Sequence, residues 1–156
     1  MKSLTLFRHA KTERDSTTGR DFDRKLIERG QQDAKRVGEE MRKLSLGFDL
    51  VLSSPAARAA ETAELAGLEP RFDERIYDAA SSELFAIVQT ADDKAGRLAM
   101  VGHNPGFERL ASRLIGQIVE MPTGSLIEID IPVDRWAEVD DGNGRVVRFI
   151  KPKELR

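Results

Sequence analysis

"SLTLFRHAKT", residues 3 to 12, sets a short apolar and β-branched run directly against an arginine and a histidine. Five residues bounded by charge are too few for a helix. Without polar alternation they read as a strand covered on both faces, the kind found in parallel sheets flanked by helices. The build recurs in "DLVLS" at 49 to 53 and in "LAMVG" at 98 to 102, the latter followed at once by a second histidine in "HNPG". Helical patterns lie between and after these runs. Residues 28 to 46 carry Ala34, Val37, Met41 and Leu44 on one face, and residues 105 to 116 carry Phe107, Leu110, Ala111, Leu114 and Ile115. "AARAAETAELAG" after Pro55 and "SSELFAIVQ" after Asp78 predict shorter helices, and "PRFDE" at 70 to 74 a brief strand. Strands alternating with helices predict an α/β fold, a three-layer sandwich with a mainly parallel central sheet and helices on both faces. The tail differs. "SLIEIDI" at 125 to 131 alternates with period two, and "RWAEV", a turn through "DDGNG" and "RVVRFI" predict an antiparallel meander extending the sheet at its C-terminal edge. No repeat or linker interrupts the chain, so residues 1–156 are expected to form a single domain.

Bulk properties narrow the chemistry. A chain of 156 residues buries roughly 70% of its unfolded surface, enough for an unaided core. A third of the residues are charged but the net charge is only -2, which argues against nucleic acid or an anionic membrane as partner. Any bound anion must be held by local cations. With no cysteine there are no disulfides, thiol nucleophiles or thiolate metal sites, and the apolar run near the N-terminus is too short for a signal peptide. A cytoplasmic location is the default expectation.

Ligands of open α/β sheets sit beyond the carboxyl ends of the strands. Arg8 and His9 follow the first predicted strand, Ser53 and Ser54 end the second with Arg58 one turn on, and His103 follows the strand at 98 to 102. Ser54–Pro55 and Asn104–Pro105 each read as a capping residue with proline at the first helical position, so free N–H groups would face the site. Such helix starts suit a phosphoryl group, and Arg8 and Arg58 would add always-charged forks to its oxygens. A histidine at a strand end can instead be purely structural. Two histidines without an HxxxH or HExxH pattern do not make a zinc site, so no metal and no cofactor are expected. "KTERDSTTGRDFDRK" reads as a solvated loop whose Lys11, Arg20 and Arg24 could rim an anion pocket.

"FRHAKT", "SSPAARAAET" and "VGHNP", together with "DFDRKLIERGQQDA", resemble the histidine phosphatase superfamily in its SixA-like, phosphohistidine phosphatase branch. The resemblance spans most of the chain. It implies a phosphatase without cofactor in which His9 is the nucleophile that becomes phosphorylated, and Arg8, Arg58 and His103 complete the phosphate pocket. Thr12 and Asn104 would stand near the phosphate. Ala10 departs from the glycine that usually follows Arg-His, and Lys25 and Ile27 replace the proline and threonine of "RPLT". For an ester leaving group the family places a carboxylate between the second motif and the second histidine, where Asp78 and Glu83 are the candidate general acids, although each also reads as a helix-start charge. A phosphohistidine substrate needs less help, since its ring departs as neutral imidazole. The expected function is therefore dephosphorylation of phosphohistidine on a signalling or phosphotransfer protein. The alternatives are a small-molecule phosphomonoesterase of the same fold and a non-catalytic phosphate-binding module.

Overall fold

The computed structural model describes residues 1–156. Its sheet has six strands: β1 (Lys2–Arg8), β2 (Leu50–Ser53), β3 (Arg71–Phe72), β4 (Arg97–Gly102), β5 (Leu126–Ile131) and β6 (Arg145–Ile150). They lie in the order β3-β2-β4-β1-β5-β6. The first four run parallel, and β5 and β6 are antiparallel to their neighbours, as the alternating tail predicts.

The strand sequences are continuously apolar because both faces are covered. Leu4 and Leu6 of β1, with Leu98 and Met100 of β4, face Leu84 and Ile87 of α3 (Ser81–Gln89) and Leu110 and Leu114 of α4 (Gly106–Ile115). Phe7 and Val101 project to the other side, onto Val37 and Met41 of α1 (Glu28–Lys43) and Ala59 and Ala63 of α2 (Ala57–Leu65). Alternate residues of one strand thus serve two cores, each fully buried leucine contributing roughly 1.5–3 kcal/mol. The consequence is functional. A strand pinned on both faces fixes where its last residues, Arg8 and Gly102, deliver the chain.

Two local expectations change. "RWAEV" is not a strand; Trp136–Glu138 form a 3₁₀ turn that inserts the Trp136 ring into the α3/α4 core. Its indole Nε1–H donates to the Ala95 carbonyl at 2.8 Å, and its backbone N–H donates to Asp93 Oδ1 at 2.8 Å. Burying a large ring with its one donor satisfied outweighs a strand preference at this position. The two prolines also sit ahead of their helices rather than inside the first turn. Ser54 Oγ still accepts from the Ala56 N–H at 3.2 Å and Asn104 Oδ1 from the Glu108 N–H at 3.3 Å, so both side chains bond the backbone while the helices start later.

Candidate active site

The carboxyl ends of β1, β2 and β4 meet where the sequence places its histidines. His9 continues the sheet beyond β1, its N–H donating to the Gly102 carbonyl at 3.0 Å and its carbonyl accepting from the Gly124 N–H at 2.8 Å. With the backbone held on both sides, the ring position is set. His9 Nδ1–H donates to the Ala10 carbonyl at 2.8 Å, which leaves the Nε2 lone pair free. The residue is only 8% exposed, and burial pushes its pKa down to about 4. The Ala10 carbonyl opposes that shift, while the charges of Arg58, Arg8 and Arg24 reinforce it. At neutral pH His9 is therefore uncharged.

His103, at the end of β4, lies with its ring centroid 5.2 Å from that of His9. Its Nε2 is bonded to Ser54 Oγ at 2.8 Å. In the tautomer in which the Ser54 hydroxyl donates to Nε2, while its oxygen accepts from the Ala56 N–H, the His103 proton sits on Nδ1. Burial lowers the pKa of His103 to about 3, with the neighbouring His9, Arg58 and Arg8 acting in the same sense and Asp21 against it.

Both arginines are anchored through Nη atoms. Arg8 donates from Nη1 to the Met121 carbonyl at 2.8 Å, and Arg58 donates from Nη1 to the Asp21 carbonyl at 2.8 Å and from Nη2 to Asp21 Oδ2 at 3.0 Å. Yet Arg8 Nε, Arg58 Nε and His103 Nδ1 are buried without any partner. The remaining unpartnered buried side-chain atoms are the hydroxyls of Thr5 and Ser125. Burying a donor without an acceptor costs about 1–3 kcal/mol, so these three nitrogens want an acceptor that the protein itself does not supply. No three His, Asp or Glu side chains converge as a metal cage would require.

The other sequence candidates divide. Asn104 Nδ2–H donates to the Met121 carbonyl at 2.9 Å and to Glu108 Oε2 at 3.0 Å, so it braces the same carbonyl that holds Arg8. Thr12 Oγ1 accepts from Arg24 Nη2 at 2.6 Å. Asp78, with φ +53°, lines a cleft of about 70 Å³ together with Asp21, Arg58, Tyr77, His103 and Asn104. Glu83 is engaged elsewhere, its Oε1 accepting from the Ala80 N–H at 2.9 Å at the start of α3. Lys11 and Arg20 are exposed, whereas Arg24 reaches inward to Thr12 and Asp21. The methyl group of Ala10 is fully buried in a cluster with Leu26 and Ala34, and its N–H donates to Thr62 Oγ1. Around Lys25 and Ile27 the loop is held by backbone pairing, Glu13 N–H to the Lys25 carbonyl at 2.9 Å and Ile27 N–H to the Lys11 carbonyl at 3.0 Å.

Sequence reasoning missed Asp21 and Tyr77. Asp21 accepts from Arg24 Nη1 at 2.9 Å, from Arg58 and from the Tyr77 hydroxyl at 2.7 Å. Its partners Arg58 and Tyr77 stand 37 and 56 positions away, so no local spacing announces them.

Comparison with known proteins bears on the family and the fold. Residues 4–94 match the family model described as the histidine phosphatase superfamily, branch 1. An uncharacterised protein of Mycobacterium tuberculosis is 30% identical over 146 residues, covering 85% of this chain and 92% of its own. Among solved structures, a candidate phosphohistidine phosphatase SixA from Agrobacterium tumefaciens is 26% identical with a TM-score of 0.83, over 97% of this chain and 98% of that one. The protein histidine phosphatase SixA complexed with tungstate superposes with a TM-score of 0.84 over 99% of each chain; at 18% identity that likeness concerns the fold. No helix is long and apolar enough to cross a membrane.

Proposed function

The chain belongs to the histidine phosphatase superfamily, branch 1, and we propose that it is a metal-independent phosphatase that works through a covalent phosphoryl adduct on His9, with phosphohistidine on a signalling or phosphotransfer protein as its substrate. The observation that carries this reading is the set of three unpartnered buried nitrogens, Arg8 Nε, Arg58 Nε and His103 Nδ1, around an uncharged His9 whose Nε2 is free. Phosphoryl transfer needs in-line attack and stabilisation of charge on the equatorial oxygens, and preorganised guanidinium and imidazole donors supply the second without a metal. His9 Nε2 attacks phosphorus, the substrate's ring nitrogen leaves, and water then hydrolyses the phospho-His9 adduct. SixA-type proteins among the structural relatives support phosphohistidine as the substrate class.

Asp78 favours a second reading. Asp78 lines the same cleft as His103, where a general acid for an ester leaving group would stand, and in that case small phosphomonoesters are the substrates. The first test is covalent labelling. A phosphodonor should leave a base-stable, acid-labile phosphoryl group on the wild-type protein; His9→Ala should abolish both label and phosphate release, while His103→Ala should slow both without removing the nucleophile. Undiminished release by His9→Ala would overturn the mechanism. The second reading gains if phosphoserine reacts as fast as phosphohistidine rather than the ~10²- to 10⁴-fold more slowly expected without an acid.

A further inference from the structure

Resting on the reading of this pocket as a phosphoryl-transfer site, we propose that Asp21 and Tyr77 form the seat of the leaving group, and that the group this seat recognises is a protonated nitrogen ring, an imidazolium. Asp21 poses a physical question. Its carboxylate lies against Arg58, neutralises part of the field that a phosphate would use, and repels a dianion. Towards a phosphate it acts in two senses, orienting Arg58 and weakening the field that Arg58 presents. Its open side is accounted for if it faces what is attached to the phosphorus.

The details fit that role. Asp21 Oδ2 accepts from Arg58 and Tyr77 and Oδ1 accepts from Arg24, which leaves Oδ1 an open acceptor position; the side chain is 51% exposed. It lines both the small cleft beside His103 and a second cleft of about 170 Å³, so it is the residue that the two share. Partial burial works to raise its pKa, but the hydrogen bonds from Tyr77, Arg24 and Arg58 overcome this and hold the carboxyl well below the usual carboxylate range. Asp21 is thus an acceptor and not a proton donor. Tyr77 also lines the small cleft, its ring edge-to-face with His103 at 5.7 Å and with the Arg58 guanidinium over it at 6.0 Å, so it bounds the seat beside Asp21.

In the bound substrate the ring nitrogen remote from phosphorus carries a proton and donates it in a hydrogen bond to Asp21 Oδ1. The P–N bond breaks as the bond from His9 Nε2 to phosphorus forms. The P–N electron pair returns to the ring nitrogen, and the ring leaves as neutral imidazole with its other proton still in place. Asp21 stays ionised throughout. By favouring the protonated ring it raises the bound fraction of the reactive form. The charged and titratable groups around Asp21 are Arg14, Asp15, Arg20 and Arg24 on its own loop, Arg58 on α2, Tyr77 and Asp78 after β3, and His103 at the end of β4.

The test compares wild type and Asp21→Asn on a phosphohistidine peptide and on p-nitrophenyl phosphate, whose leaving group carries no positive charge. The ratio of the two kcat/KM values should fall about 10-fold or more in the variant, the scale of one lost charge-assisted hydrogen bond. Equal losses on both substrates would overturn the proposal, leaving Asp21 as a brace for Arg58. If the wild-type protein hydrolyses neither substrate, the phosphatase reading itself fails and takes this inference with it. A measurement on the unaltered protein covers a variant that does not fold. About one pH unit below the imidazole pKa of roughly 6.5, imidazole should compete with p-nitrophenyl phosphate at least ~10-fold better than uncharged thiazole, and lose that advantage about two units above it. Equal potency at the lower pH would also overturn the proposal.

Discussion

Arg58 shows what a single residue must do here. Both of its Nη atoms are committed to Asp21, one to the carbonyl and one to the carboxylate, so only the planar fork leaves Nε free to meet a phosphoryl oxygen. Lysine keeps the charge but offers one tetrahedral ammonium, which cannot hold the Asp21 loop and the phosphate at once. Arg58→Lys should therefore lose about 10²- to 10³-fold in kcat on an aryl phosphate, the usual loss when one oriented donor is removed from a transition-state site. Steady-state kinetics beside a thermal melt checks this; near-wild-type kcat would place Arg58 outside the phosphate pocket. Arg8, His9, Arg58 and His103 were legible in the sequence as candidates because each ends or closely follows a buried strand, and a parallel sheet gathers strand ends. Asp21 was not. Its meaning depends on contacts with α2 and with the segment after β3, which the fold alone creates.

At the scale of elements, the strands and helices were legible wherever their apolar pattern was paired with a covered face. The 3₁₀ turn at Trp136 was not, because its partners Ala95 and Asp93 lie more than forty residues away. Gly30 in α1 is a second long-range fact. A Cβ at Gly30 would overlap the Lys11 carbonyl, two residues past the proposed nucleophile, so the absence of a side chain is what lets α1 pack against this strand end. Two effects of Gly30→Ala oppose each other. Helix propensity favours alanine by about 1 kcal/mol, but the clash is with backbone on both sides, and overpacking of this kind costs about 1–3 kcal/mol. The clash wins because neither backbone can turn aside as a side chain would. We expect Gly30→Ala to lower the urea midpoint at unchanged m-value and to reduce kcat with it, as the Lys11 carbonyl and the adjoining His9 are displaced. A raised midpoint would show that α1 shifts freely and does not set the position of His9.

For the molecule as a whole, the site has an energetic cost that appears in acid. An unfolded histidine titrates near 6.5. In the folded protein burial holds His9 near 4 and His103 near 3. Between those limits the unfolded chain binds protons that the folded chain refuses, so stability rises with pH across the window and is lost as pH falls from about 6.5 towards 4. The sign is opposite to that of a histidine paired with a carboxylate, whose folded pKa is raised and whose stabilisation is lost on going alkaline. For His9 alone the shift corresponds to a loss on the order of 3 kcal/mol across the window. Carboxylates held below their usual range, such as Asp21, add a loss of the same sign that begins at lower pH. A variant separates the contributions. Melting temperature plotted against pH should fall more steeply for wild type than for His9→Gln between about pH 6.5 and 4, because glutamine leaves no ring to protonate in the unfolded state. Saturating phosphate should reduce the wild-type slope, since an anion beside the two rings stabilises their protonated forms and, at about 100 times its Kd, adds about 2.7 kcal/mol to the folded state. Parallel curves for wild type and His9→Gln, unchanged by phosphate, would mean that His9 is not held uncharged by its surroundings, and the free Nε2 lone pair on which the proposed nucleophilic attack depends would then lose its physical basis.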